Sequence, residues 1–295
     1  MKTIVFGGSG FLGSYVVDAL LEHGHNVVVF DRKPSLWHPE IPYVAGDILD
    51  RAQVLKAVDG CDYVYNLAGA ADVERSVEFP LDYLEANILG NAIILEAARQ
   101  VGIKRFVYAS SAYALSDRGA FYGTSKRCSE KVIELYKAHY GLDYTILRYG
   151  SVYGAHADRS NRIYRLLYQA LTEGRVVFPG DGSEEREYIH AADAARLSVE
   201  ILEPWGCNST FILTGTERFS YRCLLKLINE ILGDRLEIVF LGDDYKGHYA
   251  MTPYSFNPTL GKKLISNPCI DFGQGLLSCI EALHHQLFGD DAPGG

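Results

Sequence analysis

The sequence predicts an α/β fold: a doubly wound parallel sheet with a smaller C-terminal lobe. Three observations predict it. Short apolar runs alternate with segments of helical period up to about residue 150. A glycine-rich turn, Gly7-Gly8-Ser9-Gly10-Phe11-Leu12-Gly13, sits between the first apolar run and the first helical one. Beyond residue 150 helical segments continue in a looser rhythm. Apolar strands separated by helices imply right-handed crossovers and a sheet covered on both faces.

Residues 3–6 form the first apolar strand, and residues 11–23 a helix that stops at Gly24. Residues 26–30 are a second strand ending at Asp31, residues 43–45 a third followed by Gly46-Asp47, and residues 63–67 a fourth. A long helix is predicted over 80–101 with Gly102 as its stop. Residues 105–109 are a fifth strand, 122–139 a helix stopped at Gly141, and 144–147 a sixth strand. Helices are then expected over 161–173, 191–203, 221–232 and 272–287, with apolar strands at 176–178, 211–213 and 236–240. Residues 1–150 are read as a dinucleotide-binding domain and 151–288 as mainly a substrate lobe interleaved with it. Residues 289–295 are read as a frayed tail.

Composition narrows the class. The chain has 295 residues, 48% hydrophobic and 22% charged, enough for a large core. A net charge of −9 argues against a nucleic-acid partner, which would need a basic face. No apolar run is long enough to span a bilayer, so no membrane partner is expected. The six cysteines form no Cys-x-x-Cys pair and no zinc spacing, which predicts no metal and suits a reducing cytoplasm.

The glycine-rich turn has the strand–turn–helix context of a dinucleotide site, and the fold expected is therefore Rossmann-type. Gly7 permits the tight turn, Gly10 lets the backbone approach a pyrophosphate, and Gly13 lets the helix pack close to the strand. The helix N-terminus then offers free N–H groups to phosphate. Asp31 is placed to accept hydrogen bonds from the adenosine ribose and to repel a 2′-phosphate, which favours NAD; Arg32 and Lys33 beside it pull towards NADP. Asp47 and Ile48 are candidates to clamp the adenine.

The run Tyr122-Gly123-Thr124-Ser125-Lys126 puts a phenol and an ammonium four residues apart, on one helix face. The cation is expected to lower the tyrosine pKa. Tyr122 would then exchange a proton with a sugar hydroxyl while hydride leaves the same carbon. Lys126 would also hold the nicotinamide ribose. Ser111 ends the fifth strand, at the sheet edge where such folds bind ligands, and would anchor or relay the reacting hydroxyl.

These residues resemble the extended short-chain dehydrogenase/reductases, in their nucleotide-sugar epimerase/dehydratase branch. The segment Gly7 to Gly13, with Phe11 and Leu12, is similar to that family's nucleotide fingerprint, and Asn66-Leu67-Ala68-Gly69 to its NAD-bordering loop. Val73-Glu74-Arg75-Ser76 followed by Pro80, Tyr83, Asn87 and Gly90 resembles its central helix entrance. Phe106 to Ser111 resembles the strand carrying the catalytic serine, and Leu147 to Gly154 the segment after the next strand. The resemblance implies that Ser111, Tyr122 and Lys126 are catalytic. It also implies that Leu67, Ala68, Gly69, Asn87, Ala109 and Tyr149 border the cofactor. Pro179-Gly180-Asp181-Gly182 with Arg186 to His190 and Asp193 resembles the sugar-nucleotide lobe, where Arg186 would contact the diphosphate.

Departures from the pattern carry information too. Ser151 stands where many members have a nucleotide-contacting asparagine, and it remains a candidate substrate contact. Ala112 and Tyr113 occupy the places where the dehydratases carry an acid pair, which disfavours dehydration. The expectation is an NAD-dependent epimerase of a nucleotide sugar, homodimeric through its long helices. A keto-sugar reductase using NAD(P)H and a non-catalytic NAD sensor are the alternatives.

Overall fold

The computed structural model describes residues 1–242, 248–253 and 262–289; the tail expected from 289 onward therefore lies, beyond Gly289, outside the described residues. The first half runs β1 (Lys2–Phe6), α1 (Phe11–Glu22), β2 (Asn26–Asp31), β3 (Tyr43–Ala45), α2 (Arg51–Val58), β4 (Tyr63–Asn66), α3 (Val73–Glu78) and α4 (Pro80–Leu84). A π-helical segment, Glu85–Gly90, leads into α5 (Asn91–Val101), β5 (Arg105–Ser111), α6 (Ala120–Tyr140) and β6 (Tyr144–Tyr149). There follow β7 (Ser151–Tyr153), α7 (Arg162–Glu173), β8 (Arg175–Phe178), β9 (Glu185–His190), α8 (Ala191–Glu200), β10 (Ser209–Leu213) and β11 (Arg218–Ser220). The described chain closes with α9 (Tyr221–Ile231), β12 (Glu237–Phe240), β13 (Lys262–Leu264) and α10 (Phe272–Phe288).

The central sheet has eight strands in the order β13-β10-β6-β5-β4-β1-β2-β3. Every pairing in it is parallel. A parallel sheet buries both faces, which explains why its strands read as continuous apolar runs rather than alternating ones. On one face Val5, Val29 and Tyr65 pack with Val16, Val17 and Leu20 of α1 and Leu197 of α8. On the other face Ile4, Phe6 and Phe106 pack with Val54 of α2, Ile94 and Leu95 of α5 and Ile133 of α6. The chain order reverses between β1 and β4, and the crevice beyond their C-terminal ends is where such sheets bind ligands.

Beyond residue 150 the chain divides its strands. β10 and β13 extend the central sheet, while β11-β9-β7 and β12-β8 form two small sheets. These cover a separate apolar cluster in which Leu166, Leu224, Leu225 and Leu276 join α7, α9 and α10.

The helix expected over 80–101 is broken into α4, the π-helical segment and α5. π-Turns commonly mark functional positions, and this one turns Asn87 inward. Among elements the apolar pattern did not reveal, α2 and α3 are short helices opened by aspartate caps. Asp50 accepts from the N–H groups of Ala52 and Gln53, and Asp72 from that of Arg75. β9 was hidden because its residues Glu185 to Glu187 are charged, yet Arg186 and Glu187 are buried in the lobe.

Candidate active site

Phosphate-binding geometry is built into the turn after β1. Gly7 has φ of +78°, and a side chain there would meet the backbone of Ala68 at 2.6 Å. A Cβ on Gly13 would lie 2.0 Å from the Gly7 carbonyl oxygen, so α1 can approach β1 this closely only at glycine. Gly10 caps α1 without any side-chain hydrogen bond, and the first turn holds no acidic residue. The helix start therefore keeps its N–H groups for an anion, as a dinucleotide pyrophosphate requires.

Asp31 ends β2 beside this turn. Its carboxylate accepts from the Ser9 N–H at 3.2 Å and the Arg32 N–H at 2.7 Å, so it braces the glycine loop. The Arg32 side chain is exposed beside it. Asp47 is exposed and accepts from the Leu49 N–H at 2.9 Å. Ile48 packs against Gly90 of the π-helical segment. Leu67, Gly69 and Ala109 line the main cleft, and Ala68 lies beneath Gly7.

Asn87 does not line that cleft. Its side chain accepts from the Ala70 N–H at 2.9 Å and donates to the Ala70 carbonyl at 3.0 Å and the Ser125 hydroxyl at 2.9 Å. It fixes the loop after β4 against α6, and so acts on the site through the loop. Tyr149 is mostly buried, and its hydroxyl is engaged with Ser198 of α8 at 2.6 Å, which leaves its ring at the cleft wall.

Ser111, Tyr122 and Lys126 share one cleft of about 460 Å³ with Gly7, Gly10, Phe11 and Leu12. Ser111 and Tyr122 line the cleft together, and the Ser111 hydroxyl opposes the burial-driven rise of the Tyr122 pKa. The Lys126 ammonium donates to the Ala109 carbonyl at 2.8 Å and lies over the rings of Tyr108 and Tyr122, at 5.0 and 5.9 Å from their centroids. Burial pushes Lys126 down to about 8, while Glu130 one turn on opposes the shift.

One electrostatic expectation needs correction. Burial raises the Tyr122 pKa, Ser111 opposes the rise and Tyr83 adds to it, so the net shift is upward despite the nearby Lys126. The ammonium sits over the ring and is turned to the Ala109 carbonyl rather than to the phenol oxygen.

Behind Lys126, Glu130 is held by Arg148 through a two-pronged pair at 2.9 and 2.7 Å and accepts from the Ser110 hydroxyl at 2.5 Å. This buried network ties α6 to β5 and β6 next to Ser111.

The far wall comes from the lobe. Arg186 is 2% exposed. It lies over the Tyr249 ring at 4.3 Å, donates through Nη1 to the Glu185 carbonyl, and keeps Nη2 without a hydrogen-bond partner among the described residues. The residue lines the cleft, and a guanidinium is the side chain best suited to grip a carboxylate or phosphate with two donors. Ser151 and Tyr249 line the same wall. Sequence reasoning missed Glu74, Arg162, Arg165, His248 and Tyr249, all of which line the cleft. Arg162 and Arg165 lie on one turn of α7, a spacing that offered a signal; His248 and Tyr249 offered none, because they arrive from far along the chain. His190, by contrast, caps α8 through the Ala192 N–H, and Asp193 pairs with Arg196. Among the described residues no group of His, Cys, Asp and Glu could hold a metal ion.

A phosphate cradle at a switch point, with a serine, tyrosine and lysine facing it, defines the extended short-chain dehydrogenase/reductase class. A family model described as the NAD dependent epimerase/dehydratase family matches residues 3–205, and the chain belongs to that family. It is 31% identical to a UDP-glucose 4-epimerase of Neisseria meningitidis over 69% of this chain and 74% of that one. It is 28% identical to a dTDP-glucose 4,6-dehydratase of Streptomyces antibioticus, over 95% of this chain and 92% of that one. A Thermotoga maritima UDP-glucose 4-epimerase solved with UDP-glucose superposes with a TM-score of 0.81 at 25% identity, over 97% of this chain and 100% of that one.

Proposed function

We propose that this chain is an NAD-dependent epimerase that inverts carbon 4 of a nucleotide-activated sugar through a transient keto-sugar. The observation that carries the reading is the single cleft joining the glycine cradle, the Ser111–Tyr122–Lys126 set and the buried, incompletely bonded Arg186. NAD, when bound, supplies a reversible hydride acceptor. Gly7, Gly10, Gly13 and the start of α1 would hold its pyrophosphate, and Lys126 its nicotinamide ribose. Tyr122 takes the proton of the sugar hydroxyl and later gives it back, Ser111 holds that oxygen, and Arg186 binds the diphosphate. Dehydration is disfavoured because Ala112 is apolar and Tyr113, the next residue, is not a carboxylic acid.

Protein purified without added cofactor is expected to release close to one NAD per chain on denaturation, by mass spectrometry, and to interconvert UDP-glucose and UDP-galactose. An empty site that takes up NADPH and reduces a keto-sugar would replace this reading with the reductase.

A homodimer is part of the same proposal. Val77 of α3, Phe79 between α3 and α4, Leu81 of α4, Leu89 of the π-helical segment and Phe121 of α6 lie exposed, with Leu81 at 70%. Sedimentation should give the mass of two chains at micromolar concentration, and Leu81→Asp with Phe121→Asp should give one; a wild-type monomer would reject the dimer. All six cysteines are unpaired, which supports work in a reducing cytoplasm, and no described helix is long and apolar enough to cross a membrane.

A further inference from the structure

Tyr113 stands two residues after Ser111 and lines the same cleft as Tyr122, with the two ring centroids 6.0 Å apart. Its hydroxyl lies 2.6 Å from Nδ1 of His248. The other ring nitrogen, Nε2, lies 3.4 Å from the Glu74 carboxylate. Glu74 in turn is held by Arg162 at 2.7 Å and Arg165 at 3.6 Å. His248 first, and then Arg162 and Arg165, keep its carboxyl down at about 2 against the opposing effect of burial, so it is ionised throughout the working range. An ionised carboxylate beside Nε2 favours the tautomer with its proton there, which leaves Nδ1 to accept from the phenol. Phenol, imidazole and carboxylate thus stand in the order in which a histidine activates a hydroxyl, with the carboxylate close enough to stabilise the charged ring.

We propose that Tyr113, His248 and Glu74 form a second acid–base relay that exchanges a carbon-bound proton next to the sugar ketone. The inference rests on the keto-sugar reading above. A ketone at carbon 4 acidifies the hydrogens on carbons 3 and 5. As the Tyr113 oxygen takes such a proton, its own proton passes to His248 Nδ1, and the C–H electron pair moves to O4 as an enolate. Ser111 and Tyr122 stand at that oxygen. Return of a proton by the same path restores the ketone, with no net oxidation or reduction. Because one relay serves one face, the product is exchange with retention. The carboxylate missing from the positions after Ser111 is thereby replaced by one from α3, acting through a histidine supplied by the 248–253 segment.

The test supplies the ketone directly, so it does not depend on the hydride step. UDP- and dTDP-linked 4-keto-6-deoxyglucose are incubated with the NAD-loaded protein in D2O and followed by mass spectrometry and proton NMR, with denatured protein as background. The expected result is a one-dalton gain at carbon 3 or 5, at least tenfold faster than background. Tyr113→Phe and His248→Asn should each cut that excess about tenfold. Wild-type exchange at the background rate would overturn the relay, as would undiminished exchange in both variants. UDP-galactose in D2O is run alongside. Loss of 4-epimerisation there with exchange of the supplied ketone intact would count against the epimerase reading and for the relay. Epimerisation without ketone exchange would do the reverse.

Discussion

Tyr122→Phe is expected to lower turnover by roughly 10³-fold or more while NAD stays bound at near the wild-type level. A loss of that size corresponds to about 4 kcal/mol of transition-state stabilisation, within reach of one positioned acid–base group. The ring would remain in its apolar nest with Val73 and Tyr83, so folding and the cleft should be preserved. The hydroxyl alone is removed, and with it the group whose pKa Ser111 lowers. Steady-state kinetics on UDP-galactose, with bound NAD quantified in the same preparation, check the claim. Turnover above a tenth of wild type would show that another group carries the proton. Tyr113 would then be the first to examine.

The same site sets a pH dependence. Burial lowers Lys126 to about 8, so its charge is present below that pH and is lost as pH rises through it. Tyr122 moves the other way, upward, so the lysine proton leaves first as the free protein is titrated. In the proposed mechanism the Lys126 ammonium holds the nicotinamide ribose, and kcat/KM should therefore fall above about pH 8. A profile flat to pH 10 would show that Lys126 positions NAD without its charge.

Much of this site was legible because its parts obey local rules. The glycine turn announces itself through a strand before it and a helix after it. The Tyr122–Lys126 pair follows from helical period, and Ser111 from the end of an apolar run. What could not be read depends on where separate segments meet. Nothing in the spacing of Tyr113, Glu74 and His248 says that they touch, and the last comes from a segment without a strong apolar pattern. Asn87 was readable as a polar residue near the site, but its place under the Ala70 loop depends on a π-helical turn that sequence period does not reveal. The Tyr122 pKa was misjudged for a related reason. Helical spacing brought the ammonium near, but desolvation is set by the tertiary packing around the phenol.

Arg148→Met is expected to destabilise the fold by roughly 3–5 kcal/mol, because it leaves the Glu130 carboxylate buried without its counter-charge. Both partners are almost fully buried, with side-chain exposures of 4% and 7%. Their attraction therefore acts in a weakly polar surrounding, and water cannot replace the lost partner. For a chain of this size the melting temperature should fall on the order of 10 °C. The pair itself is not a net source of stability. Its desolvation is costly, and Arg148 Nη1 is buried without a hydrogen-bond partner among the described residues. Arg148→Met combined with Glu130→Leu should therefore recover most of the loss, which thermal denaturation of the two single variants and the double variant would measure. Turnover should not recover with stability. Glu130 stands one helical turn from Lys126 and opposes the fall in its pKa, and Ser110 loses its acceptor beside Ser111. Removing the carboxylate should push Lys126 lower and move the alkaline limb of the pH profile to lower pH in the double variant. A double variant as unstable as Arg148→Met, or one with an unmoved alkaline limb, would show that Glu130 acts neither as the buried liability nor as the electrostatic support of Lys126.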